Sequence, residues 1–230
     1  VASAHPEDQN ASLALAEFLV ADRQFEAGYA FYEKAIAIGP VSAPLHFAAG
    51  TVASMLRRTD RAIEHYSAAQ AADKSDPRFP LYLAQVQAGQ NLLTEAKANL
   101  LIAGKLDPDN PVIWGTLAEL LLREGKLPLA LQNIERARQL SPESTVWRVI
   151  HARTLKRDNR PEEALQLLIG LSPSERLEPG VLSTMAECYG FLGRPDDAAG
   201  LYEAAVAAHP MDGALTLECA VWLERAGQGA

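Results

Sequence analysis

The chain has 230 residues, of which 48% are hydrophobic and 22% charged, with a formal net charge of −8 and two cysteines. The negative charge argues against nucleic acid as a partner, because phosphate binding needs a surplus of Lys and Arg. Two cysteines are too few for a disulfide framework or a four-ligand zinc site. No apolar run approaches the roughly 20 residues of a membrane-spanning helix.

The first residues, VASAHPEDQN, contain no initiator Met, no basic segment and no apolar signal core. We therefore expect a fragment or a processed chain, for which a cytoplasmic and a periplasmic location both stay open. The alanine-rich composition, with more Arg than Lys, is compatible with a bacterial source.

From Gln9 onward the chain repeats with a period of 34 residues. Position 8 of each row is Ala or Gly in every row, and position 20 is Ala or Gly in every complete row. A fixed period of this length is the signature of a repeat architecture. The rows need no insertion and begin at Gln9, Ala43, Pro77, Pro111, Thr145, Pro179 and Gly213.

Each row predicts two amphipathic helices. In the fourth row, PVIWGTLAELLLRE is the first helix, GK the turn, and LPLALQNIERARQL the second helix. Gly125 and Gly193 fall in such turns, where glycine adopts a positive φ at little cost. Prolines mark the starts of helices, where the missing N–H costs nothing. They are Pro77, Pro111 and Pro179 in first helices and Pro128, Pro161 and Pro195 in second helices.

The small residues have a steric reason, because two helices that cross closely need Ala or Gly where their backbones meet. The Tyr, Leu or Ile at position 24 then fills the space between one helix pair and the next. A single pair leaves one face uncovered, so neighbouring pairs must stack. The period therefore predicts an all-α, one-dimensional stack of helical hairpins.

These positions resemble the tetratricopeptide repeat, a helix–turn–helix unit of the same length. The fourth row carries the resemblance most completely, with Trp114, Leu117, Ala118, Leu121, Gly125, Ala130, Ile134, Ala137 and Pro142. The resemblance implies an α-solenoid of antiparallel helix pairs stacked in a right-handed superhelix. We expect a lead-in at 1–8, six repeats at 9–42, 43–76, 77–110, 111–144, 145–178 and 179–212, and at 213–230 the first helix of a seventh repeat or a capping helix.

The fifth row departs from the pattern. Leu171 stands at a position that holds Ala elsewhere, and Pro173 is expected to stop the second helix early, with SPSERLEP as a longer connection. Two interpretations stay open: a loop that costs little free energy, or a joint at which the stack flexes.

The sequence predicts no enzyme, no cofactor and no metal site. Motifs of P-loop enzymes, serine hydrolases and zinc proteases are absent, and no two histidines lie three or four residues apart. Carboxylate pairs such as Glu162–Glu163 lie in first helical turns, where acidic residues are favoured electrostatically. Trp222 is interpreted as a packing residue. For Cys188 and Cys219, two buried thiols are favoured over a disulfide.

The family resemblance implies that the first helices line a concave groove that binds peptides. Only Arg78 stands where a clamp for a C-terminal carboxylate would need a cation, so that binding mode is not expected. The candidate groove residues are Phe47, Thr51, Arg78, Tyr82, Gln85, Thr116, Glu119, Arg123, Ile150, Arg153, Lys156, Arg157, Ser183 and Glu187.

Basic residues are concentrated on the first helix of the fifth row. In one interpretation, Arg153 pairs with Glu119 and Glu187, which occupy the same position in the adjacent rows. In the other, the cations form a pocket for an acidic side chain or carboxylate of a bound segment. Lys156 and Arg157 have no expected partner among these glutamates and are predicted to be exposed, so we expect them to contribute most to binding.

The leading functional hypothesis is a non-catalytic scaffold that binds a protein or peptide segment, one that could carry an acidic group, in its groove. The alternative is a regulatory or targeting domain of a larger bacterial protein that is catalytic or serves envelope assembly. A helical-repeat RNA binder is rejected because the rows lack a continuous basic groove. Self-association through the exposed last helix is a further expected interaction.

Overall fold

The structure of the protein is a computed structural model that describes residues 8–40 and 42–227. The described residues form helices and no strand, which confirms the all-α prediction. Most of the predicted lead-in at 1–8 and the last three residues lie outside the described part. The helices are α1 (Gln9–Ala21), α2 (Phe25–Ile38), α3 (Ala43–Met55), α4 (Thr59–Ala72), α5 (Arg78–Gly89), α6 (Leu93–Leu106), α7 (Pro111–Arg123), α8 (Leu127–Leu140), α9 (Thr145–Arg157), α10 (Pro161–Ile169), α11 (Pro173–Arg176), α12 (Pro179–Phe191), α13 (Pro195–Ala208) and α14 (Gly213–Gly227).

The chain divides into two compact units, Val1–Thr116 and Leu117–Ala230. In the first unit each helix from α1 to α6 packs against the next one along the chain. In the second unit α8 packs against α9, α9 against α10, α10 against α12, α12 against α13, and α13 against α14. Sequential packing of this kind is that of an α-solenoid, as the sequence predicts.

The first helices begin close to the predicted repeat starts. Six of the seven begin at the predicted residue: Gln9, Ala43, Pro111, Thr145, Pro179 and Gly213. In the third row the helix begins one residue late, because Pro77 is the N-cap of α5 rather than its first residue. The division into six repeats remains a prediction that these bounds support.

Small residues lie where the helices cross. At position 8, Ala16, Ala84, Ala118, Ala152 and Ala186 are all 0% exposed. At position 24, the larger side chains are buried as well: Tyr32, Tyr66, Leu100, Ile134, Leu168 and Tyr202. Small and large residues therefore alternate through the core as steric complementarity requires.

Every turn between a first and a second helix contains one residue in the left-handed region. The turn that ends α1 has the Schellman hydrogen bond, with the Gln24 N–H donating to the Leu19 carbonyl at 2.8 Å. Sequence analysis identified only the two glycines at this position. The six residues are Arg23 (φ 61°), Arg57 (φ 58°), Asn91 (φ 61°), Gly125 (φ 74°), Asn159 (φ 61°) and Gly193 (φ 66°).

The left-handed arginines lead to a stability prediction. Replacing Arg23 with Gly should raise the free energy of unfolding by about 1 kcal/mol, because a Cβ atom is disfavoured at this φ. Urea denaturation followed by circular dichroism measures the change. Gly193→Ala is the matched reverse change and should destabilise by a similar amount. A loss of stability in Arg23→Gly would contradict this explanation of the turn.

The fifth row differs from the prediction in one respect: its connection is not an open loop. Helix α10 ends at Ile169, and Pro173 opens the one-turn helix α11. Ser172 and Glu175 form a capping box in which the Glu175 carboxylate accepts from the Ser172 N–H at 2.9 Å. The Thr145 hydroxyl donates to the other oxygen of Glu175 at 2.5 Å, which ties α11 to α9. These bonds, chiefly the one from the Ser172 side chain, lower the pKa of Glu175 to about 2.

Candidate binding surfaces on the first helices

Aromatic side chains gather on α3 and α5 in the first unit. The Phe47 ring centre lies 5.1 Å from that of Tyr82 and 5.6 Å from that of Tyr66. The Arg78 guanidinium lies 5.3 Å from the centre of the Phe47 ring and forms an ion pair with Asp76 at 2.6 Å. Its hydrogen bond to the carboxylate is the main reason that the pKa of Asp76 is lowered. Of the predicted groove residues, Phe47, Tyr82 and Arg78 therefore lie together.

A cleft of about 430 Å³ opens beside this aromatic cluster; we call it the first cleft. The Thr51 hydroxyl on its wall donates to the Phe47 carbonyl at 2.9 Å and accepts from the Tyr66 hydroxyl at 3.3 Å. Gln85, another predicted residue, is exposed on the same wall. The cleft is lined by Thr51, Ser54, Met55, Arg57, Thr59, Tyr66, Tyr82, Gln85, Val86, Gly89 and Gln90.

A second cleft of about 490 Å³ opens in the second unit. Trp222 on its wall packs so closely over Gly190 that a Cβ atom at residue 190 would lie 2.7 Å from the indole ring. Phe191 is 63% exposed at the cleft, and the Arg225 guanidinium lies 4.6 Å from the centre of a Trp222 ring. The lining residues are Lys156, Glu187, Gly190, Phe191, Gly193, Pro195, Trp222 and Arg225.

The two clefts occupy equivalent places in the sequence repeat. Positions 9, 12, 13, 15 and 17 of the second row line the first cleft, and the same positions of the sixth row line the second. Met55 and Phe191 both stand at position 13, and they are 57% and 63% exposed. In each case the following first helix supplies the opposite wall, with Val86 and Trp222 at the same position. The fold thus forms the same recess twice with different side chains.

The first of the two interpretations, in which Arg153 pairs with Glu119 and Glu187, is wrong. Glu187 pairs with Lys156 rather than with Arg153. Arg157 also has a partner, since its guanidinium donates to the Leu122 carbonyl at 3.0 Å. Within residues 8–40 and 42–227, neither Arg153 nor Glu119 forms an ion pair. A lysine one helical turn further along α9 reaches the Glu187 carboxylate, so the exposed Arg153 is the cation left without an acidic partner.

The exposure expected for Lys156 is also wrong, because only 17% of its side chain is exposed. Ile150 is 6% exposed and offers little surface to a partner, while Thr116 and Glu119 are half-buried. Arg123 is exposed, and the half-buried Ser183 donates to the Gly180 carbonyl at 3.4 Å. The predicted residues of the second unit therefore do not form one continuous cationic pocket.

Sequence reasoning missed Gly190 and Arg225 and treated Trp222 as a packing residue only. The local sequence contains features that could have indicated these cleft residues. Gly190 stands one residue before an aromatic, and Trp222 and Arg225 lie three residues apart on the same face of α14. The prediction for residues 213–230, the first helix of a seventh repeat or a capping helix, did not include a role in a cleft.

A buried polar network joins α2, α3 and α4 in the first unit. His46 and His65 are 8% and 6% exposed, and their Nδ1 atoms lie 3.2 Å apart, so one ring donates a hydrogen bond to the other. His65 Nε2 lies 2.7 Å from the Glu33 carboxylate and 3.1 Å from the Tyr29 hydroxyl. Burial, followed by the charge of Glu33, raises the pKa of Tyr29 to about 12. Because these groups satisfy one another, the network has a structural explanation.

Titratable residues in the second unit also have structural explanations. His151 is 7% exposed, and the Arg138 guanidinium donates to its Nδ1 atom at 3.0 Å. Burial, reinforced by the charges of Arg138 and Arg160, lowers the pKa of His151 to about 4. Burial raises the pKa of Cys188 to about 11, so this thiol is a poor nucleophile at neutral pH.

No cluster of three or more His, Cys, Asp or Glu side chains in the described part of the chain is arranged to hold a metal ion. Over the same residues, no helix is both long enough and apolar enough to cross a bilayer.

Two family models match the chain. The model described as the N-terminal tetratricopeptide-repeat region of Psidin matches residues 121–220, and a tetratricopeptide-repeat model matches residues 47–111. Together the two matches cover well over half of the chain. A comparison with curated protein sequences found no significant match.

Solved structures with the same fold share little sequence with the chain. A tetratricopeptide-repeat protein from Parabacteroides merdae matches with a TM-score of 0.75 and 13% identity, over 96% of this chain and 93% of that one. YrrB, described as having an unusual peptide-binding site, matches with a TM-score of 0.64 and 19% identity, over 84% and 94%.

The Cut9–Hcn1 hetero-tetramer of the APC/C matches with a TM-score of 0.72 and 14% identity, over 96% of this chain but only 44% of the matched chain. The chain thus spans less than half the length of that protein. The family matches, the sequential packing of the helices and the repeated small positions agree, and the chain belongs to the tetratricopeptide-repeat family.

Proposed function

We propose that the protein is a non-catalytic interaction scaffold that binds protein segments at the surface of its first helices, in the two clefts. The carrying observation is that the exposed Met55 and Phe191 stand at equivalent repeat positions, each beside a cleft. Single exposed apolar side chains are common on folded proteins, but apolar side chains that border a concave cleft are typical of binding sites. Clefts of 300–1,000 Å³ are also of the size that binds small groups and side chains.

The neighbouring side chains support binding of a peptide rather than catalysis. The first cleft presents hydroxyl and amide groups that can bond to a peptide backbone, including Thr51, Gln85 and Gln90. Phe47, Tyr82 and Arg78 extend this surface with aromatic and cationic side chains, residue types that are enriched in protein interfaces. The peptide-binding site reported for YrrB, which shares the fold, supports the same proposal.

The proposal is tested by selecting random peptides displayed on phage against the purified protein. Selected peptides should bind the double variant Met55→Ala, Phe191→Ala at least about tenfold more weakly, because both clefts lose an apolar contact. Leu101→Ala is the matched control, since Leu101 is 52% exposed on the second helix α6. Equal loss of affinity in the control, or no selected peptide at all, would contradict the proposal.

A second candidate is a regulatory or targeting domain within a longer bacterial protein that is catalytic or serves envelope assembly. The match to a part of the Cut9–Hcn1 assembly supports it, because there the same fold belongs to a chain more than twice as long. Both candidates require the clefts to bind protein.

Self-association through α14 is compatible with either, since Leu217 and Leu223 are 67% and 46% exposed. Sedimentation of wild type and Leu217→Glu tests it.

A further inference from the structure

We infer that the second cleft binds a segment in which a large apolar side chain is followed closely by a carboxylate. This inference rests on the proposed function and adds to it the chemistry of the ligand. It is carried by the combination of aromatic walls with a cation that has no acidic partner.

The apolar part of the ligand follows from the walls. Phe191 is 63% exposed, so most of its ring faces solvent when the cleft is empty. Trp222 lies against Gly190, and no larger residue fits at 190 without displacing the indole. Pro195 closes the cleft at the start of α13. Trp222 is only 6% exposed, so a bound aromatic, Leu or Met side chain would gain mainly by covering the exposed Phe191 ring, which is favourable.

The acidic part follows from the charges. Lys156 and Glu187 pair with each other, so neither requires a charge from the ligand. Arg225 is exposed and stacks on Trp222, and within the described residues it has no carboxylate partner. A guanidinium fixed on an aromatic face presents its N–H donors at the edge of the cleft, where they suit a carboxylate. Arg153 is exposed one turn before the lining residue Lys156 on α9, but it does not itself line the cleft.

The first cleft provides an internal comparison. Where the second cleft has Trp222 and Arg225, the first has Val86 and Gly89 at the same repeat positions. The only cation among its described lining residues is Arg57, in the turn at the position of Gly193. The two clefts should therefore prefer different segments, and the preference for an apolar residue followed by an acid belongs to the second.

The experiment selects random phage-displayed peptides and then titrates blocked synthetic peptides against variants by fluorescence anisotropy. Wild type should enrich peptides with an aromatic, Leu or Met residue followed within two residues by Asp or Glu. Arg225→Glu should weaken their binding about tenfold or more, and changing the peptide acid to its amide should weaken binding to wild type but not to Arg225→Glu. Phe191→Ala should weaken binding by a similar factor.

Arg57→Glu and Met55→Ala are the matched controls, because they make the same changes in the first cleft. They should leave these affinities within about twofold of wild type, and circular dichroism should show unchanged helicity in all variants. If the peptides bind but respond to the first-cleft variants instead, or have no acid preference, the inference is overturned and the proposed function stands. If no peptide is selected, both are overturned.

Discussion

Ala186→Leu is expected to lower the free energy of unfolding by about 1–3 kcal/mol. Ala186 is 0% exposed in α12 and belongs to the same core cluster as Ala198 and Tyr202 of α13. A leucine there would force apart two helices whose close approach depends on small residues. Urea denaturation followed by circular dichroism measures the loss.

The repeat supplies a matched control for this substitution. Ala220 stands at the same repeat position in α14, but it is exposed because no second helix covers that face in the described part of the chain. Ala220→Leu should therefore change stability by no more than about 0.5 kcal/mol, since Leu and Ala have similar helix propensity. If both variants lost the same stability, the close helix crossing would not explain why position 8 holds a small residue in every row.

The second large effect is a pH dependence caused by His151. Its pKa in the folded state is about 4, against about 6.5 for an unperturbed histidine. As the pH falls below about 6.5, His151 becomes protonated in the unfolded chain but stays neutral in the folded protein, so the free energy of unfolding decreases. The decrease continues to about pH 4 and should reach about 3 kcal/mol, with no further contribution from this residue below that pH.

The contribution of His151 is isolated by comparison with a variant that does not titrate. His151→Gln keeps an acceptor for the Arg138 guanidinium, which lies 3.0 Å from His151 Nδ1. The difference in unfolding free energy between wild type and His151→Gln should change by about 3 kcal/mol between pH 7 and pH 4. The lowered pKa of His46 affects both proteins and cancels in this difference. Parallel pH profiles would contradict the assigned cause.

The fold was predictable because its determinants recur. Position 8 holds Ala or Gly and position 24 holds Tyr, Leu or Ile in row after row. Because the same residue sizes recur, a departure in a single row does not obscure the pattern. The exceptions were not predictable. Arg23 and Arg57 adopt a left-handed φ because the Schellman turn fixes the backbone regardless of the side chain. The capped turn α11 depends on Glu175 reaching Thr145, a contact 30 residues away in sequence.

The candidate site was less predictable because it depends on side-chain reach. Aligned positions correctly suggested that Glu187 has a cationic neighbour in the fifth row, but they could not show that Lys156 reaches it and Arg153 does not. Ile150 is likewise buried, although its position in the repeat predicted a groove-facing side chain. Trp222 packs over Gly190 and also forms a wall of the cleft. The second role depends on where the folded helices place the two residues, which the sequence alone did not indicate.

Amide hydrogen exchange measured by mass spectrometry, with and without a selected peptide, tests most directly whether the first helices bind protein segments. We expect slower exchange in α12, α14 and the turn around Gly193 for peptides of the second cleft, and in α3 and α5 for peptides of the first. The second helices α6 and α8 should exchange at unchanged rates. Protection confined to α6, α8 or the other second helices would contradict the account.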